Sequence, residues 1–426
     1  AIRNARVVPV SGPAIAKGTV VVRNGLIEAV GANVSPPADA WIIEGDGLTV
    51  YPGLIDALST IGIPQPVPTG GGGGRGAAPT TPPPITLATP TVTGDRGGGG
   101  GEPVANNQSW VKAADQIQAT DRRIATARSA GFTTAVTFPA RGIFAGHGAV
   151  INLAGDSAGK MIVNSAAGIY LSMGSGGRGG GGGYPGSLMG VIAYIRQTYL
   201  DAEHYREAKE TYGRNPRGLK RPDYNRELEG VLEGRRVLIP ASSAVQIDRM
   251  LRFGAEMKLN MILYDAQEGY RLADQIRKAN VPVLVSLRWP ERMPGADPEI
   301  SETFRALELR DKAPSTPAAL AKAGVRFALY TGGVERGADV MRAVRRAIDS
   351  GLPADQAIRA LTLGPAELFG VADRLGSIET GKIANLVVTD GDLFQEKTRV
   401  RHVLVDGVKY EPAAETPATG ERTTDQ

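Results

Sequence analysis

The chain has no cysteine, and that absence removes disulfides, thiolate metal sites and cysteine nucleophiles together. Histidine is nearly as scarce: His147, His204 and His402 are the only three in 426 residues. No apolar run reaches the roughly 18 residues that a spanning helix needs, so no membrane span is expected. An excess of one charge is missing too, since 48 Lys and Arg face 44 Asp and Glu for a net +4. The one basic cluster, residues 214–221, reads as a solvated loop, and no nucleic-acid partner is expected. The chain also lacks a Gly-Lys-Ser/Thr phosphate cradle and a Gly-x-Ser-x-Gly nucleophile elbow. The lack of cysteine, with a signal peptide removed ahead of Ala1, would suit a periplasmic or secreted protein.

What is abundant is glycine, with 56 residues, many of them in runs at 70–74, 97–101 and within 174–186. Ordering oligoglycine costs much backbone entropy. The segments 64–105 and 174–186 therefore read as loops inserted into a more regular chain, or as material packed against a neighbouring chain. Outside them, 42% hydrophobic and 22% charged residues fit an ordinary globular protein.

Both ends are rich in β-formers. Residues 5–10, 19–22 and 27–30 predict strands, with Arg23-Asn24-Gly25 as a hairpin turn, and 384–389 and 402–408 have the same texture. The middle alternates. Residues 110–130 predict a helix and 131–137 a strand; 247–258, 270–279 and 316–323 predict helices, each followed by a strand at 259–263, 281–286 and 325–330. That β-then-α rhythm predicts a parallel sheet closed as a barrel. The expected architecture is α/β: a (β/α)8 TIM-like barrel over 55–375, a composite β-sandwich from 1–54 and 376–412, and an extended tail at 413–426.

The opening 5–10 and 18–27, the motif Tyr51-Pro52-Gly53-Leu54-Ile55-Asp56-Ala57, and the tail from Ala357 through Leu375-Gly376-Ser377-Ile378 to Ala384-Asn385-Leu386-Val387-Val388 form one set of motifs. Together they resemble the amidohydrolase superfamily, nearest its imidazolonepropionase-like and prolidase-like branch. The likeness covers most of 5–410 apart from the glycine-rich insertions. The family normally has Asp where Asn385 stands.

The resemblance implies zinc or another divalent metal at the C-terminal mouth of the barrel, turning water into hydroxide. It also implies ligand positions, and here they are altered. The first-strand His-x-His falls at Leu58 and Thr60, the strand-five His at Pro240, the strand-six His at Asp265, and the last-strand Asp at Gly332; the strand-four ligand has no assigned position. Leu and a lone Thr do not replace imidazole as ligands. The expectation is a degenerate site with no metal cofactor.

Other candidates are few. Asp265 and Glu268 are weak candidates for a carboxylate acid/base pair, although the same turn also reads as a strand-to-helix loop with a capping acid. Tyr264, Arg288, Trp289 and His147 are candidates for an inherited ligand pocket. Asp56 reads as structural, His204 as solvated and His402 as part of the C-terminal β segment. Ser157-Ala158-Gly159-Lys160 fits Ser-x-x-Lys, but its glycine argues against the helix such a nucleophile starts. The leading functional reading is a non-catalytic subunit, a homo- or hetero-oligomer assembling with itself or with an active amidohydrolase. The alternatives are a hydrolase of amide, cyclic amide or peptide C–N bonds, and a small-ligand binding protein.

Overall fold

The computed structural model describes residues 1–64, 106–173, 185, 187–292, 301–334 and 336–412. The two glycine-rich insertions and the tail fall almost wholly outside the described residues.

The chain begins with five strands: β1 Ile2–Val7, β2 Ile15–Arg23, β3 Leu26–Gly31, β4 Ile43–Glu44 and β5 Thr49–Pro52. Asn24 and Gly25 both take positive φ, 51° and 80°, which is the twist a two-residue hairpin between right-twisted strands demands. The barrel strands follow as β6 Leu54–Ser59, β7 Phe132–Thr137, β8 Phe144–Asn152, β9 Ile162–Leu171, β10 Val237–Ala241, β11 Met261–Asp265, β12 Val283–Ser286 and β13 Phe327–Tyr330. The last strands, β14 Leu386–Thr389, β15 Val400–Val405 and β16 Val408–Tyr410, return to the first sheet. There β14 pairs antiparallel with β5, Leu386 opposite Pro52 and Thr389 opposite Thr49. One sheet thus holds both ends of the sequence, in the order β16-β15-β14-β5-β1-β2-β3, with β4 beside β1.

The second sheet runs β13-β12-β11-β10-β9-β8-β7-β6 and curls into a nearly closed barrel. Alternation is plain on its later strands. Leu238, Ile262, Tyr264, Leu284, Ala328 and Tyr330 join one buried cluster, to which every barrel strand contributes, so that cluster is the interior. Their neighbours Ile239, Leu263, Val285 and Leu329 face the helices in the outer layer.

Two sequence expectations change. β8 runs antiparallel to both β7 and β9, so the barrel is not a strict repeat of parallel units. The link from β7 to β8 is short, and a parallel crossover needs a dozen or more residues. The helix expected over 110–130 shrinks to a short turn at Ala113–Gln116 and a helix at Arg122–Ser129. Lys112 instead bridges to His147, and Asp121 starts the later helix by accepting the Arg123 N–H.

Candidate functional site

The C-terminal ends of β6, β10, β11 and β13 carry the positions at which the resemblance calls for metal ligands. Leu58 is buried in the barrel interior with Phe138, Tyr170, Tyr264 and Tyr330. Tyr170 and Tyr264 stack with ring centroids 5.1 Å apart, and Phe138 lies 5.7 Å from Tyr170. An aliphatic side chain at 58 suits such a packed aromatic layer.

Thr60, just beyond β6, is held by a residue from the next helix. Arg123 donates from Nη1 to Thr60 Oγ1 at 2.9 Å, and from Nη2 to the carbonyls of Thr60 at 2.8 Å and Ile63 at 2.7 Å. The same guanidinium pairs with Asp121 at 2.6 Å, and Asp121 also accepts the Gly62 N–H at 2.8 Å. A nearly buried Arg with its donors spent in this way is an anchor for the loop after β6.

The other positions are equally specific. Pro240 stands on β10 opposite Tyr264, half-buried. Asp265 ends β11 with φ at 78°, and Ala266 follows at 40°; two consecutive non-glycine residues in left-handed space are unusual. Burial pushes the Asp265 carboxyl up, while Gln267 and Ser242 hold it partly down; Gln267 Nε2 donates to it at 3.2 Å. Gly332 has φ at 62°, and a Cβ there would lie 2.1 Å from Ser286 Oγ and 3.2 Å from Arg288 Cβ. An Asp in that backbone conformation would have no room.

The remaining candidates do not converge. Glu268 is buried, accepts the Ala244 N–H at 2.7 Å at the start of helix Ala244–Glu256, and faces Arg305 at 3.7 Å, which makes it a cap. Tyr264 donates to the Leu171 carbonyl at 3.0 Å inside the barrel. Trp289 lies in the outer layer, its Nε1 bonded to the Ala343 carbonyl at 2.9 Å. His147 is buried against helix Arg226–Glu233, donating from Nε2 to the Gly230 carbonyl at 2.9 Å, and burial lowers its pKa. Arg288 is exposed. The pocket expected from these four is therefore not assembled: Tyr264 faces inward, while Trp289 and His147 are tied to outer helices. His204 is exposed and His402 lies on β15. Ser157 does start a short helix, Ala158–Met161, contrary to the expectation from Gly159, but Lys160 is turned to Asp156 at 2.9 Å. A divalent cation needs several N or O ligands; the five altered positions offer a single carboxylate, Asp265. Among the described residues no group of three or more His, Asp or Glu side chains could hold a metal ion.

The feature that sequence reasoning undervalued is Asp56. Its carboxylate is 1% exposed and accepts the Thr331 N–H at 3.0 Å and the Thr331 hydroxyl at 2.8 Å. Thr331 follows β13, so this side chain joins the two strands that end the ladder and closes the barrel seam. Burial pushes its pKa up to about 6, against the pull of Thr331 and the Leu58 N–H. A cavity of about 60 Å³ adjoins it, lined by Asp56, Arg123, Phe132, Thr331, Val334 and Val340 among others. The strand-one motif already marked Asp56, but nothing local marked its partner 275 residues away.

A profile of the amidohydrolase family matches residues 252–410. Over that stretch the chain is similar to an amidohydrolase family domain. In fold it is similar to the crystal structure of an amidohydrolase from Thermotoga maritima MSB8, with 25% identity, 96% of this chain and 99% of that chain covered, and a TM-score of 0.74. It is also similar to a Xaa-Pro dipeptidase with bound methionine in the active site, at 16% identity, 96% and 99% coverage and a TM-score of 0.56. Molinate hydrolase is a third, at 16% identity, 100% and 98% coverage and a TM-score of 0.54. These last two likenesses bear on the fold alone. Among curated proteins, none matches the sequence. The mixed α/β barrel with a separate sheet built from both ends is the amidohydrolase architecture. No helix among the described residues is long and apolar enough to cross a membrane.

Proposed function

We propose that this amidohydrolase-fold protein is a non-catalytic subunit, its former metal positions given over to packing, and that it acts by assembling with itself or with an active amidohydrolase. The observation that carries the reading is at the two sides of the barrel seam. On one side Thr60 is engaged by the Arg123 guanidinium; on the other, Gly332 takes a left-handed conformation with Ser286 Oγ in the space a ligand side chain would need. Neither arrangement is a neutral vestige, because each meets a stereochemical need of the fold it sits in. Function rests on the site and not on the fold. The test is the metal content of the native protein by plasma mass spectrometry, repeated after incubation with zinc or manganese. The expected result is far less than one metal per chain in both cases; near-stoichiometric metal would overturn the proposal. Native light scattering addresses assembly, and a lone monomer in gentle buffer counts against that half.

A second reading draws on the backbone at Asp265 and Ala266. Left-handed non-glycine residues cost free energy and cluster at functional sites. A mouth with a half-buried, upshifted carboxyl would suit metal-free hydrolysis of an amide-type bond or the binding of a small ligand. Hydrolysis that survives chelator and disappears with Asp265→Asn would move this reading ahead.

A further inference from the structure

The helix Leu188–Arg214 has 27 residues, about 40 Å at 1.5 Å per residue, and buries Val191, Ile195, Thr198, Ala202 and Tyr205. Beyond Tyr205 no residue is buried as far as Glu229, and residues 206–214 alone carry the helix about 13 Å further. The chain turns back into helix Arg226–Glu233, making a hairpin whose base is braced. Tyr205 Oη donates to Glu229 at 2.9 Å, Lys209 pairs with the same carboxylate, and the Asn225 side chain accepts the N–H groups of Glu227 and Leu228. Arg226 lies 4.0 Å over the Trp110 ring.

The tip is different. Residues 210–223 hold Arg214, Arg217, Lys220 and Arg221 against Glu210 and Asp223, a net +2, and Lys220 pairs with Asp223 at 3.2 Å. Arg217 and Arg221 are exposed and have no ion-pair partner among the described residues. Beside them Leu219 is 48% and Tyr224 79% exposed.

We propose that this tip is a docking surface for an acidic protein segment. Charge complementarity sets the sign of the partner. Arg forks match carboxylates bidentately, and Arg with Tyr is the pairing enriched at interface hot spots. A lipid surface fits less well, because an interfacial helix needs a broad apolar face and the tip has only Leu219 and Tyr224 to offer. The braced base holds the tip out from the barrel, which lowers the ordering cost of binding. The partner's role rests on the assembly reading above, but the charge argument does not, and the two tests fail separately.

The experiment uses the full chain, its Arg217→Ala/Arg221→Ala variant and its Arg217→Lys/Arg221→Lys variant, with a fluorescein-labelled oligoglutamate peptide followed by anisotropy. Saturable binding is expected, weakened at least about tenfold in the Ala variant and by less in the Lys variant, and reduced by salt in the parent. Melting should be unchanged, since both residues are fully solvated. Equal binding by the parent and the Ala variant would overturn the proposal. So would retention on phosphatidylserine vesicles or single-stranded DNA without binding of the peptide.

Discussion

Replacing Asp56 by Asn should change how stability depends on pH more than how much stability there is. The carboxyl rises from 3.8 to about 6 on folding. The native state therefore holds an extra proton between about pH 4 and 6. The stabilisation this represents is fully present below the unfolded pKa and is lost as pH rises through the folded one. A shift of about two units corresponds to about 3 kcal/mol. For 426 residues, the entropy of unfolding converts this to about 3 °C in melting temperature. When protonated, Oδ2 can donate to the Thr331 hydroxyl that otherwise donates to it at 2.8 Å, so the seam survives in either state. Asn keeps one acceptor for the Thr331 N–H and can donate to the Thr331 hydroxyl, but its second N–H and the Leu58 N–H are left without a match, costing about 1–3 kcal/mol. The assay is thermal melting of parent and Asp56→Asn at intervals from pH 4.5 to 8. The parent should lose its advantage progressively as pH rises to 7, the gap narrowing by about 2 °C, since about a third of the full effect lies below pH 4.5. Parallel curves over that range would refute the assignment of a titrating seam.

Two further substitutions test as packing elements the positions proposed to have given up a metal. Gly332→Ala should cost about 2–4 kcal/mol, from left-handed strain plus the clash with Ser286 Oγ; adding Ser286→Ala should recover part of it in urea unfolding, and no recovery would place the cost elsewhere. Arg123→Met should destabilise by about 3 kcal/mol because it strips Thr60 and Ile63 of their donors and leaves Asp121 without its partner; Arg123→Lys should fall short of the parent, and an Arg123→Met protein as stable as the parent would remove the anchor from the account.

Much of the fold could be read along the chain because it is local. Val237 to Ala241 and Met261 to Asp265 are short apolar runs buried almost throughout, and Asn24-Gly25 has the chemistry of its turn. Strand direction was not legible, since a strand buried along its whole length, as β8 is, reads the same whichever way it runs; only the short link before it carried the information. The helix at 110–130 was overdrawn because apolar spacing cannot reveal that Lys112 pairs with His147 across the fold. The positions at which the resemblance calls for ligands could be named from sequence, but the contacts made there could not. Arg123 is one of 48 basic residues, and what sets it apart is its reach to Thr60, 63 residues earlier. The left-handed backbone at Asp265 and Ala266 is invisible in the sequence, because nothing in an Asp-Ala pair requires it.

The sheet shared by both ends has a consequence in time. β5 ends at Pro52 and its partner β14 begins at Leu386, about 330 residues later. At translation rates of about 5–20 residues per second, β5 emerges roughly 15–65 s before the strand that covers it. Through that interval the first-made strands present an open edge beside a barrel still being extruded. Completion of the sheet is thereby coupled to the end of synthesis, and a chain interrupted before Leu386 would keep that edge permanently available to its neighbours.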